Sequence, residues 1–235
     1  MGITTKYIVR YLSICIICLL ANNTHVKAQG ENSLKDLPLN ISSSRGIQNN
    51  LVIYITGDGG WNSFNQGLIQ EFEKQGYGVI ALNTRKYFWD EKTPDLFAHD
   101  IELLSMHYLK EWNKSSLIIV GYSFGADVAS FIPGRLSAEI QKKVIKIVLL
   151  SPSSSTDFII RISDMIGKSE NRTRRYKVGP EIEKTDLPIV CIFGKEEEMT
   201  LKNTLRKKVN LNIYEVPGDH QYNDNLKMIL KMIGM

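Results

Sequence analysis

The sequence predicts an α/β fold, a mainly parallel sheet with helices on both faces, and three observations carry that prediction. From Leu51 onward, short β-branched runs alternate with helical patterns, the order that builds a parallel sheet. The runs Leu117-Ile118-Ile119-Val120 and Ile189-Val190-Cys191-Ile192-Phe193 are apolar throughout, as strands covered on both faces are. Each helical stretch opens or closes near Gly, Pro, Asn or Asp. At 235 residues with 43% apolar content, the chain can bury one good core and is short for two.

The first 28 residues stand apart from that core. Lys6 and Arg10 precede an apolar stretch from Tyr11 to Ala21, and Val26-Lys27-Ala28 offers small residues at a cleavage position, which reads as a secretory signal peptide. The apolar run is about 11 residues, against the roughly 20 that span a bilayer. Cys15 and Cys18 follow Ile14 and Ile17 rather than the small residue that lipidation would need. Cleavage takes Lys6, Arg10 and Lys27 and no acids, so 29 basic against 25 acidic residues becomes 26 against 25. With so little net field, nucleic acid is not an expected partner. Cys191 is then the sole thiol, placed by its apolar neighbours in the core.

The remainder, 29–235, is expected to form a single domain. Strands are predicted at 51–56, 77–82, 116–120, 144–150, 188–193 and 211–216, and helices at 65–75, 94–112, 124–132, 198–208 and 222–233. Pro94 suits the start of a helix, where its missing N–H costs little. The segment 33–40 is a candidate antiparallel edge strand. Residues 152–186 exceed what one crossover needs and carry Arg161, Lys168, Arg172, Arg174, Arg175 and Lys177. They are read as a small inserted cap region, with a solvated basic loop as the alternative.

Chemistry enters at Gly121-Tyr122-Ser123-Phe124-Gly125, between an apolar strand and the helix-like Ala126-Asp127-Val128-Ala129. A serine on so sharp a turn needs neighbours without bulk, and the two glycines provide the room. This is a nucleophile elbow, and the α/β-hydrolase fold requires its partners in the chain order Ser, then Asp or Glu, then His. After strand 188–193 comes Gly194-Lys195-Glu196-Glu197-Glu198. Glu197 is the preferred triad acid and Glu196 the fallback. After strand 211–216, Pro217-Gly218-Asp219-His220 brings His220 to the third position as general base. His25 leaves with the signal, while His99 and His107 fall within a predicted helix. An oxyanion would be held by the N–H of Phe124 and by that of Asp58 or Gly59 in the turn Thr56-Gly57-Asp58-Gly59-Gly60-Trp61. Asp58 and Asp127 would line the site with negative charge, or serve as caps or turn salt bridges to Arg85 or Lys86.

Three stretches together resemble one family. Thr56 to Trp61, Lys86-Tyr87-Phe88-Trp89 followed by Lys92-Thr93-Pro94, and Gly121 to Val128 are similar to the bacterial virulence protein VirJ and to the C-terminal half of its longer relative AcvB. The resemblance implies a periplasmic α/β-hydrolase with Ser123 as nucleophile, Glu197 as acid, His220 as base and the Gly57 to Trp61 loop as oxyanion wall. It also implies an aminoacylated membrane lipid such as lysyl-phosphatidylglycerol as substrate, without metal or cofactor. Asp58 and Asp127 would then meet its ammonium groups, Lys86 or the basic insertion its phosphate, and Trp61 the substrate beside them. Lys86 stands where the family usually has arginine, and Met199-Thr200 where Asp-Ser is common. Two other readings share the fold: a non-catalytic periplasmic factor serving a type IV secretion system, and a generic acyl-esterase or thioesterase.

Overall fold

A computed structural model describes residues 34–42, 44–161, 174–198 and 201–235. The signal peptide proposed for 1–28 lies outside these residues, as do Lys168 and Arg172 of the insertion. In the unit Met1–Leu37, the described residues make one turn closed by the Leu37 N–H on the Leu34 carbonyl. Everything below concerns the unit Pro38–Met235.

Nine strands are described: β1 (Leu39–Ile41), β2 (Asn50–Ile55), β3 (Gly78–Leu82), β4 (Ser116–Tyr122), β5 (Val144–Leu150), β6 (Ser155–Thr156), β7 (Tyr176–Lys177), β8 (Ile189–Gly194) and β9 (Leu211–Val216). The helices are α1 (Ser63–Lys74), α2 (Thr84–Tyr87), α3 (Pro94–Glu111), α4 (Phe124–Ala129), α5 (Ala138–Gln141), α6 (Val178–Lys184), α7 (Leu201–Thr204) and α8 (Leu226–Ile233). Seven strands form one sheet in the order β1-β3-β2-β4-β5-β8-β9, parallel except for β1, which pairs antiparallel to β3. The predicted fold class is the one observed. One face, with Val52, Tyr54, Val120 and Val148, packs under Phe64, Leu68 and Phe72 of α1 and Ile229, Leu230 and Ile233 of α8. The alternate residues Ile53, Ile119 and Ile147 are also fully buried on the opposite face. Two-sided cover explains why the central strands read as unbroken apolar runs. Cys191 is one of those core residues, its thiol pushed up to about 12 by burial.

Element ends depart from expectation for local reasons. The edge strand lies at Leu39–Ile41, not 33–40, because Pro38 has no N–H to give a ladder. The helix expected over 124–132 stops at Ala129, before the turn into Pro133–Arg135. That expected over 198–208 shrinks to α7, since the Arg206 N–H and the Lys208 ammonium turn away to Glu183 and Thr185. The last helix starts at Leu226 rather than 222, because Tyr222, Asn223 and Asp224 all have positive φ. The inserted stretch is packed where it is described: β6 and β7 pair antiparallel, and Phe158 sits among Phe88, Phe97, Phe131 and Tyr176. Its main chain is tied to 88–92 by Lys92 N–H on the Phe158 carbonyl (2.8 Å) and Ile160 N–H on the Phe88 carbonyl (2.9 Å).

Candidate active site

Ser123 sits between β4 and α4 with φ 54° and ψ −123°, a conformation that non-glycine residues rarely hold. The strand and the helix force it. A Cβ on Gly121 would collide with the Gly125 carbonyl, and one on Gly125 with the carbonyls of Ile55 and Thr56. Only a glycine pair lets the chain double back here and raise the Ser123 hydroxyl over the C-terminal edge of the sheet.

His220, in the loop after β9, places Nε2 2.9 Å from Ser123 Oγ. Its carbonyl accepts from the Tyr122 hydroxyl at 3.2 Å, which fixes the loop beside the elbow. Glu197, past the end of β8, faces the other ring nitrogen with Oε1 3.7 Å from Nδ1. That is ion-pair range, longer than a hydrogen bond, and such contacts tighten when substrate is bound. Glu196 is exposed, whereas the Glu197 side chain is only 4% exposed. The Glu197 carboxylate raises the His220 pKa above its ordinary value, partial burial of the ring opposes this, and Asp58 and Asp127 add to the rise.

Glu197 is itself held by groups that the sequence reasoning did not single out. Oε1 accepts from Ser151 Oγ (2.5 Å) and from the Gly194 N–H (3.2 Å). Ser151 Oγ in turn lies 2.6 Å from the Tyr222 hydroxyl, which reaches the Ile192 carbonyl at 3.0 Å. Ser151 follows the last residue of β5 with φ 52°, so it too is a strained polar residue at a strand end. That position is the one signal in the sequence that could have found it. Glu197 Oε2 is buried without a partner among the described residues.

A cavity of about 240 Å³ opens above Ser123. Its charged lining is Asp58, Asp127, Asp157 and Arg174, and Ser123 and His220 also line it. Asp127 is buried on the first turn of α4 and accepts from the Ser153 N–H and hydroxyl, both at 2.6 Å. It is neither a helix cap nor a partner of Arg85 or Lys86. Burial pushes its pKa up to about 7, against the pull of those two hydrogen bonds and of Arg174. Asp157, Ser153 and Arg174 come from the inserted stretch, so the described part of that stretch walls the cavity. Two of its other described basic residues serve local acids, Arg161 meeting Asp157 and Arg175 meeting Glu91.

The Phe124 and Asp58 N–H groups have no acceptor among the described residues and stand free for an oxyanion. Gly59 does not, because its N–H is taken by Asp58 Oδ1 at 2.9 Å. Trp61 and Lys86 also stand elsewhere: both line a second cavity, on the other side of the Gly57–Gly60 turn, with Gly59, Arg85 and Trp89. His99 is exposed and His107 pairs with Glu111 on α3, away from the site. Among the described residues, no group of His, Cys, Asp and Glu is arranged to hold a metal ion, and no helix is long and apolar enough to cross a membrane.

Comparison with known proteins agrees with this architecture. Residues 49–234 match the model of a family described as bacterial virulence protein (VirJ). A lipase-esterase related protein from Clostridium acetobutylicum superposes with a TM-score of 0.58 at 16% identity, over 84% of this chain and 98% of that one. An alpha/beta hydrolase from a sediment metagenome of the Mar Chica lagoon gives 0.57 at 15% identity, over 83% and 96%. Est1E from Butyrivibrio proteoclasticus gives 0.56 at 13% identity, over 84% and 93%. At such identities the likeness establishes the α/β-hydrolase fold. No curated protein sequence matches the chain.

Proposed function

The chain belongs to the VirJ family of bacterial virulence proteins, and from that premise and the site's geometry we propose a periplasmic serine esterase that cleaves the aminoacyl ester of an aminoacylated phospholipid such as lysyl-phosphatidylglycerol. One observation carries the reading: the 2.9 Å contact of Ser123 Oγ with His220 Nε2 opens into a cavity whose charged lining is three aspartates and one arginine. A factor that only held a secretion component would need neither the strained serine nor its histidine. A pocket for a long acyl chain would not be lined with carboxylates.

Ser123 Oγ attacks the ester carbonyl carbon while its proton passes to His220 Nε2. The Phe124 and Asp58 N–H groups hold the tetrahedral oxyanion. Collapse breaks the ester bond, and His220 returns the proton to the departing lipid glycerol. A water molecule, deprotonated by the same nitrogen, then releases the amino acid from Ser123. Throughout, Glu197 orients the imidazole and offsets its charge. The ammonium of the amino acid lies against Asp127, Asp58 and Asp157. With Asp127 held up to about 7 by burial, an arriving cation favours its ionised form and is paired by it.

The test is release of free amino acid from lysyl- and alanyl-phosphatidylglycerol by the wild-type protein and by Ser123→Ala. Release by the wild type alone is the expected result. A folded wild type that releases neither amino acid would overturn the substrate, and equal release by both proteins would overturn the nucleophile.

A further inference from the structure

The second cavity, about 570 Å³, takes no part in the chemistry above. It is lined by Trp61, Asn83, Arg85, Lys86 and Trp89, with Asp90 as its one carboxylate. It abuts the catalytic cavity, since Asp58 lines one and the adjacent Gly59 the other. Its frame is built. Asn83 Oδ1 accepts from the Lys86 N–H at 3.3 Å and starts α2, which carries Arg85 and Lys86. Gly60, at φ 63°, lies so close that a Cβ would come within 2.7 Å of Asn83 Oδ1 and 2.9 Å of Arg85 Cβ.

The lining is rich in donors that no acceptor among the described residues uses. The Arg85 guanidinium, the Lys86 ammonium, both indole N–H groups and the Asn83 amide nitrogen donate to no acceptor among the described residues, and Asp90 forms no ion pair there. Other cations are spent differently: Arg135 bridges Asp95 and Glu181, Arg175 meets Glu91, and Lys92 lies over the Tyr87 ring. A ligand that answers two cations and several N–H donors has many acceptor oxygens and negative charge, the chemistry of a phosphodiester. A dissolved phosphate would explain the cations but not the indoles. Trp89 is 55% exposed, and exposed tryptophan beside Lys and Arg suits the headgroup level of a bilayer.

We infer that this cavity binds the phosphodiester headgroup of an anionic phospholipid within a bilayer, seating the catalytic cavity at the membrane surface. The inference rests on the aminoacyl-lipid reading for its purpose, but binding is measured without hydrolysis. Protein carrying Ser123→Ala is mixed with vesicles of phosphatidylglycerol in phosphatidylcholine, or of phosphatidylcholine alone, and followed by cosedimentation and tryptophan fluorescence. The expected result is binding to the anionic vesicles with a blue-shifted emission, weakened roughly tenfold or more by Arg85→Ser with Lys86→Ser. Trp89→Ala should abolish most of the shift. The three changes are at exposed positions, and an unaltered thermal midpoint checks that the variants fold. Equal binding to both vesicles, or binding indifferent to the variants, would overturn the inference. So would displacement by millimolar glycerol phosphate, which would mark a site for the free ion. Hydrolysis of a small soluble ester by the wild type is scored separately. Esterase activity without vesicle binding sinks this inference alone, and vesicle binding without esterase activity sinks the proposed reaction alone.

Discussion

The proximity of Ser123, His220 and Glu197 was legible because each stands at a strand end where the fold has room for one polar side chain, in an order that few other patterns reproduce. Ser151 and Asp157 were not legible, since a serine after an apolar run and an aspartate in a loop have many ordinary uses. The coupling of these residues predicts measurable titrations. Glu197 raises the His220 pKa above its ordinary value, and in the proposed mechanism His220 must be neutral to act as base. Hence kcat/KM should fall as pH drops through that raised value. Glu197→Gln should shift this acid limb to lower pH and cut kcat on the order of a hundredfold or more, as a pH–rate profile would show. For stability the sign is the usual one for a raised histidine: the benefit is complete below the unfolded pKa and disappears as pH rises through the folded one. Asp127 behaves differently. Its folded pKa of about 7 stands above the ordinary 3.8, so the native state binds the extra proton and stability should decline between those two pH values. In Asp127→Asn the loss of stability between pH 5 and pH 8 should shrink to the part that His220 contributes, which urea midpoints at the two pH values would reveal.

The elements divide by how their ends are decided. Strands of the parallel sheet were legible almost to the residue, because burial on both faces leaves continuous apolar runs between polar ends. Helix ends were less so. A side chain reaching sideways, as Lys208 does to Glu183 and Thr185, unwinds a turn that periodicity alone would extend. The short α2, α5 and α6 lacked the length for a period to show, yet α2 carries the cations of the second cavity. Between β4 and α4 the packing leaves no freedom. Gly125→Ala would force its methyl onto the Ile55 and Thr56 carbonyls, pushing β2 away from the elbow. The expected cost is on the order of 3 kcal/mol, read as a lower denaturant midpoint, with esterase activity falling further than stability because the Ser123 hydroxyl and the Phe124 N–H move together.

Across the whole molecule, charge is sorted rather than absent. A chain whose proposed mature form is nearly neutral gathers Asp58, Asp127 and Asp157 around one cavity and Arg85 and Lys86 around its neighbour. The sequence showed these residues but not the partition, because adjacent residues of one turn, Asp58 and Gly59, line different cavities. That is why Lys86 and Trp61 looked like parts of the catalytic pocket. The insertion was half legible: its length marked it, while its packing through Phe158 and its contribution of Asp157 and Arg174 needed the tertiary structure. The proposed reaction requires Ser123 to be an activated nucleophile. The most direct measurement is the intact and peptide mass of the protein after exposure to a fluorophosphonate, whose phosphorus the serine oxygen attacks with loss of fluoride. A single adduct on the peptide containing Ser123, formed much more slowly in His220→Ala, is the predicted result. A folded wild-type protein that acquires no adduct, or acquires it elsewhere, would contradict it.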